Sequence, residues 1–232
     1  MRKAIRRFIK RGLWIALAIF IGLQAWYAAH IWWWRTHNPA YTAVMQERLI
    51  QLRQRNPHAR LEQHWVAYRQ ISPSLKRAVI AAEDAKFMTH WGFDWAGIRH
   101  ALETDIRHGE LRAGGSTISQ QLAKNLLLSE RRSFLRKGEE ALITLMLEGM
   151  MSKQRILELY LNTAEWGQGI FGIGAASEHY FHCTAQTLGP EQSALLASML
   201  PSPRYYDRLG VTTWLAEKAG IVRQRMPEAR IP

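Results

Sequence analysis

The chain has 232 residues, 47% of them hydrophobic and 22% charged, a balance that fits a folded globular protein and excludes a disordered or fibrous one. Lys and Arg number 31 against 19 Asp and Glu, a net charge of +12, so the expected partner is anionic: phosphates, a lipid headgroup surface or nucleic acid. The single cysteine, Cys183, excludes an intramolecular disulfide and a thiolate metal cage.

Arg2, Lys3, Arg6, Arg7, Lys10 and Arg11 make residues 1–11 a basic tail. The run from Gly12 to Trp34 then holds only Gln24 and His30 as clearly polar residues. As a helix its 23 residues reach roughly 34 Å against a hydrocarbon layer of about 30 Å, which predicts a single-pass transmembrane anchor over 12–34. Basic residues before the run and none within it place the amino terminus in the cytoplasm and the rest of the chain outside the inner membrane. Trp26, Tyr27, Trp32, Trp33 and Trp34 fall at the outer interface, where amphipathic rings are favoured. Ala28-Ala29 offers a rival reading as a signal-peptide cut site, but the apolar run is longer than a typical signal core. This topology removes nucleic acid from the partners.

Residues 35–64, polar and carrying Pro39 and Pro57, read as a connecting segment with a helix around Tyr41–Gln54. The domain proper is expected over 65–232. Trp65–Tyr68 reads as short and extended. Apolar residues at three- and four-residue spacing predict helices over Leu75–Phe87, Ile118–Leu128, Phe134–Met151, Gln154–Asn162 and Glu191–Leu200. Pro201-Ser202-Pro203 ends the last of these, and a terminal helix is expected at Thr212–Arg225. Strand signals are scarce, so the fold class is mainly α.

Four blocks carry chemistry. In the first, Glu83-Asp84 follows an apolar helix and precedes Phe87, His90, Gly92 and Asp94. Apolar walls would raise such a carboxyl's pKa, although by itself an acidic pair at a helix end reads as a cap or a salt-bridge member. The second block runs from Gly114-Gly115 through Ser116, Thr117, Gln120, Gln121, Lys124 and Asn125. Thr117 and Gln120 fit a capping box, and the helix N-terminus they open favours an anion. Gln120 with Lys124, and Gln121 with Asn125, lie on adjoining helical faces rich in donors. In the third block Arg132, Arg136 and Glu140 form one stripe that Thr144 and Glu148 extend, with Arg131 and Lys137 beside it. The stripe enters an apolar segment, which makes Glu140 and Glu148 candidates for buried, paired carboxylates. In the fourth, a helix ending near Asn162 gives way to a glycine-rich stretch, Gly167 to Gly174, read as a loop where backbone can approach a ligand.

These blocks, in this order and spacing, resemble the family 51 glycosyltransferases: the peptidoglycan glycosyltransferase domains of class A penicillin-binding proteins and their monofunctional biosynthetic relatives. The resemblance covers roughly residues 65 to 205. Two departures, His182-Cys183 after Tyr180-Phe181 and Glu191-Gln192-Ser193 where Glu-Ala-Ala is usual, lie outside the chemical blocks. With no Ser-x-x-Lys and no Lys-Thr-Gly, the chain looks like the monofunctional type, without transpeptidase activity.

The resemblance implies a lysozyme-like large lobe, a smaller jaw lobe at the membrane to which 35–64 contributes, and a cleft between them. It implies lipid II and the growing glycan chain as substrates, with cell wall synthesis or division proteins as further partners. Glu83 matches the base that takes the proton of the acceptor's 4-hydroxyl. Lys124 and Arg132 match residues that contact the diphosphate, with Arg136 and Lys137 nearby in that role. Glu140 matches a second glutamate that holds those cations, binds a divalent metal or steers the donor. Ser116, Thr117, Gln120, Gln121 and Asn125 match residues that hold sugar and phosphate groups. The implied cofactor is a divalent metal, Mg2+ or Mn2+, with no organic group. One displacement on an α-linked donor would invert the anomeric centre and give a β-1,4 glycan. The rival reading is a lytic enzyme on a related fold, which needs an acid glutamate but no row of cations.

Overall fold

The structure, a computed structural model, describes residues 2–99, 115–129 and 133–232. It divides into two units, Met1–Asn38 and Pro39–Pro232.

The first unit is built on helix α1 (Arg2–Trp34). The basic residues expected as a separate tail continue the helix, because Lys and Arg are good helix formers and Gly12 alone does not break it. Arg6–Trp34 is long and apolar enough to cross a bilayer. Leu13, Trp14, Ile15 and Ile19 lie exposed along it, an apolar surface suited to lipid.

The second unit is helical with a small sheet. Thr42 accepts the Met45 N–H and starts α2 (Ala43–Arg55), and the Asn56-Pro57 pair follows its end. Ser72 caps α3 (Pro73–Glu83), where Pro73 occupies the first turn and needs no N–H partner. Further on come α4 (Ile118–Leu127), α5 (Phe134–Met150) and α6 (Lys153–Thr163). The chain closes with α7 (Gly172–Phe181), α8 (Pro190–Met199), α9 (Pro203–Leu209) and α10 (Thr213–Arg225). The mainly α reading therefore holds.

Helix α6 is buried nearly all round: Ile156, Leu157, Leu159, Tyr160 and Leu161 are each no more than 1% exposed. A helix buried along most of its length belongs at the centre, and each such aliphatic side chain contributes about 1.5–3 kcal/mol. Around it α4 packs on α5 and α6, while α3 packs on α8 and α8 on α10. Strands β1 (Glu62–Gln63), β2 (Glu165–Gly167) and β3 (Ile170–Phe171) form a three-stranded sheet of order β1-β3-β2 among the described residues. Glu62 pairs with Ile170 and Gln63 with Phe171 in parallel, whereas β2 and β3 are antiparallel.

Three expectations are corrected. The paired strand is Glu62–Gln63, and the stretch read as extended to Tyr68 ends at Ala67, where a 3-10 turn opens over Tyr68–Gln70. The helix expected to Phe87 stops at Glu83, because Asp84 turns out to meet His90 and the start of α4. The glycine-rich stretch after Asn162 is two short strands and helix α7, and two of its glycines approach protein backbone. A Cβ at Gly172, which has φ +74°, would lie 2.6 Å from the Asn162 carbonyl oxygen, and one at Gly174 would overlap the His64 carbonyl.

Candidate functional site

Glu83 is the last residue of α3 and lines a cavity of about 260 Å³ together with Asp84, Lys86, Ser116, Thr117 and Arg225. Its Oε2 accepts the Gln121 Nε2–H at 2.7 Å, and Gln121 Oε1 accepts the Tyr160 hydroxyl at 2.9 Å. Burial, with Glu83 and Asp84 close by, raises the Tyr160 pKa well above 10, so its hydroxyl stays protonated and acts as a donor. That fixes which end of the Gln121 amide faces Glu83.

Burial pushes the Glu83 carboxyl above its ordinary 4.5. The Gln121 hydrogen bond and the charges of Lys218 and Lys124 oppose the rise, and Asp84 adds to it. The outcome is a carboxylate more basic than usual, facing a cavity and flanked by cations.

Asp84 is spent on structure. Its Oδ1 accepts His90 Nε2 at 2.8 Å and its Oδ2 accepts the Ile118 N–H at 3.0 Å, tying the end of α3 to the start of α4. The capping box is complete: the Thr117 hydroxyl accepts the Gln120 N–H, and Gln120 Oε1 accepts the Thr117 N–H. The Thr117 hydroxyl also donates to the Gly92 carbonyl at 2.7 Å. Thr117 and Gln120 are both buried. The two residues thus shape the turn that presents Ser116, which corrects the expectation that Gln120 faces a ligand beside Lys124.

Lys124 and Asn125 are half-buried on α4, and Lys124 forms no ion pair among the described residues. On α5, Glu140 is buried and accepts from Arg136 Nη1 at 2.8 Å and from Lys137 Nζ. Glu148 is likewise buried and paired, as expected: it accepts the Ser119 hydroxyl at 2.5 Å and Lys153 Nζ at 2.7 Å. Arg131, Arg132 and Gly114 lie outside the described residues.

Among the described residues no group of three or more His, Cys, Asp or Glu stands ready to hold a metal ion. Glu140, the candidate ligand, already neutralises two cations. These residues do not by themselves fit a metal centre.

Lys218 is the site residue that sequence reasoning missed. It lies on α10, where burial lowers its pKa against the upward pull of Glu83, and its Nζ donates to the Ser198 carbonyl at 3.2 Å. The only signal was a lysine within a helix that reads as terminal packing.

The family model described as transglycosylase matches residues 49–227. A protein of Methylobacillus flagellatus named biosynthetic peptidoglycan transglycosylase is 53% identical over 98% of this chain and all of its own length. Relatives with the same name in Dechloromonas aromatica and Azoarcus sp. are 51% and 52% identical over 99% of this chain, covering 100% and 99% of their own lengths. A match of this extent, over the residues that build the Glu83 cavity, makes the chain a member of the transglycosylase family.

Proposed function

We propose that the chain is a peptidoglycan glycosyltransferase that polymerises lipid II into β-1,4-linked glycan, with Glu83 as general base. The observation that carries the reading is Glu83 itself, a half-buried carboxylate of raised pKa that faces a cavity and has Lys124 and Lys218 nearby. A base of raised pKa accepts a hydroxyl proton more readily. In this mechanism Glu83 takes the proton of the acceptor's 4-hydroxyl as that oxygen attacks the donor's anomeric carbon. The bond to the lipid diphosphate breaks on the opposite face, inverting the centre. Negative charge builds on the departing diphosphate, and Lys124, free of ion pairs among the described residues, is suited to meet it. Arg136 and Lys137, held in place by Glu140, extend the positive surface, and Arg132 is assigned there by resemblance. Gln121 orients the base, while Ser116 and Asn125 are assigned to the sugar and phosphate groups.

A divalent metal, Mg2+ or Mn2+, fits this scheme only as a companion of the substrate's phosphates, since the protein offers no ligand cluster among the described residues. The basic start of α1 supports an anchor with its amino terminus in the cytoplasm and the catalytic unit outside. The relatives' names say biosynthetic, which weighs against the lytic reading.

The test is polymerisation of labelled lipid II by full-length protein in detergent. Glu83→Gln is expected to lower turnover at least about 100-fold with lipid II affinity retained. Near-normal turnover by this variant would remove Glu83 as the base. Digestion of preformed glycan by the wild type, without polymer, would favour the lytic reading.

A further inference from the structure

A larger cavity, about 610 Å³, shares no lining residue with the Glu83 cavity. Four of its lining residues are arginines, from two elements. Arg48 and Arg55 lie seven apart on one face of α2, and Arg204 and Arg208 lie four apart on one face of α9. Arg48 is buried and already held, with Nε and Nη2 at 2.8 and 3.0 Å from the two Glu165 carboxylate oxygens and Nη1 donating to Gln51. Glu165 also receives the Gly169 N–H and lies 3.8 Å from Arg204 Nε. The nearby Asp207 carboxylate is engaged by Tyr180, His179 and the Gln168 N–H. Among the described residues Arg55 and Arg208 form no ion pair, so three guanidinium groups border the cavity with one distant carboxylate contact between them. Such an arrangement is self-repelling until an anion enters, and planar guanidinium forks match phosphate oxygens in pairs. The amides of Gln51, Gln54 and Gln168 and the Ser202 hydroxyl add neutral donors and acceptors of the kind that recognise hydroxyl groups.

We propose that this cavity is a second anion site that takes a phosphorylated polyol, either the headgroup of a glycerol-type anionic phospholipid or a free polyol phosphate. Arg55, Arg204 and Arg208 hold the phosphate, and the glutamine amides hold the polyol. Arg48, locked to Glu165, forms the floor of the site. The proposal does not depend on the role of Glu83.

The experiment is calorimetric titration of the full chain in neutral detergent with glycerol 3-phosphate and, separately, with dihexanoyl phosphatidylglycerol. Saturable binding is expected for at least one probe. It should weaken at least about tenfold in Arg55→Ala/Arg208→Ala and stay unchanged in Glu83→Gln. Binding of the lipid alone would identify a membrane headgroup, and equal binding of both would show that the free phosphate suffices. Both replaced side chains are exposed, so the fold should persist. If the double variant melts early, Arg208→Gln alone is expected to lose about threefold. The proposal is overturned by absence of saturable binding, by equal affinity in the arginine variants, or by glutarate binding as tightly as glycerol 3-phosphate.

Discussion

Asp84 leaves α3 with φ −162° and ψ 72°, which turns its carboxylate toward His90 and the Ile118 N–H, while Glu83, still helical, faces the cavity. One backbone turn thus separates a structural acid from a chemical one. The raised pKa of Glu83 has a consequence for stability. Between the ordinary value of 4.5 and the raised value, the folded chain keeps a proton that the unfolded chain has lost. Stability therefore falls as pH rises through that window, and the full penalty is present above it. Glu83→Gln removes the penalty, so at neutral pH the variant should melt above wild type and show no gain near pH 4. Scanning fluorimetry of both proteins in detergent checks this, and a less stable variant at neutral pH would contradict it. Tyr160 and Gln121 belong to the same argument, because their hydrogen bonds decide where the base points.

Among the elements, α6 carries Asn162 in its last turn, which ties back to a segment nearly a hundred residues earlier. Its Oδ1 accepts the Val66 N–H at 2.8 Å, its Nδ2 donates to the Val66 carbonyl at 2.9 Å, and its own carbonyl accepts from Gln63. The side chain thus copies a strand partner for Val66. Asn162→Ala leaves both Val66 groups without those bonds and should cost about 2–4 kcal/mol, read as a lower denaturation midpoint at unchanged slope. A loss below about 0.5 kcal/mol would show that water replaces the asparagine freely. This element also marks the limit of what the sequence disclosed. The helical spacing of α3 to α6 and the Thr117–Gln120 capping box were legible because they rest on neighbours within four residues. Helix α7 was not, because Gly172 and Gly174 look like loop punctuation until Asn162 and His64 are seen pressed against them. The same holds for the site. Glu83 and Lys124 could be named from their blocks, but Lys218 and the Tyr160–Gln121 link come from helices far along the chain.

Over the whole molecule the net charge of +12 agrees with a substrate read as a lipid diphosphate. Part of that affinity should be screened by salt. From low ionic strength to roughly 0.5 M, KM for lipid II is expected to rise about three- to tenfold with kcat nearly constant. A KM indifferent to salt would mean that the cations serve the protein's own stability. The order of assembly follows from the Val66–Asn162 tie, which joins residues 96 apart. A ribosome adding about 5–20 residues per second needs roughly 5–20 s to supply that length. Throughout that interval Val44 and Met45 have no Phe171 to close over them, and β1 has no β3 to pair with. The first stretch of the second unit to be synthesised is thus among the last to be buried.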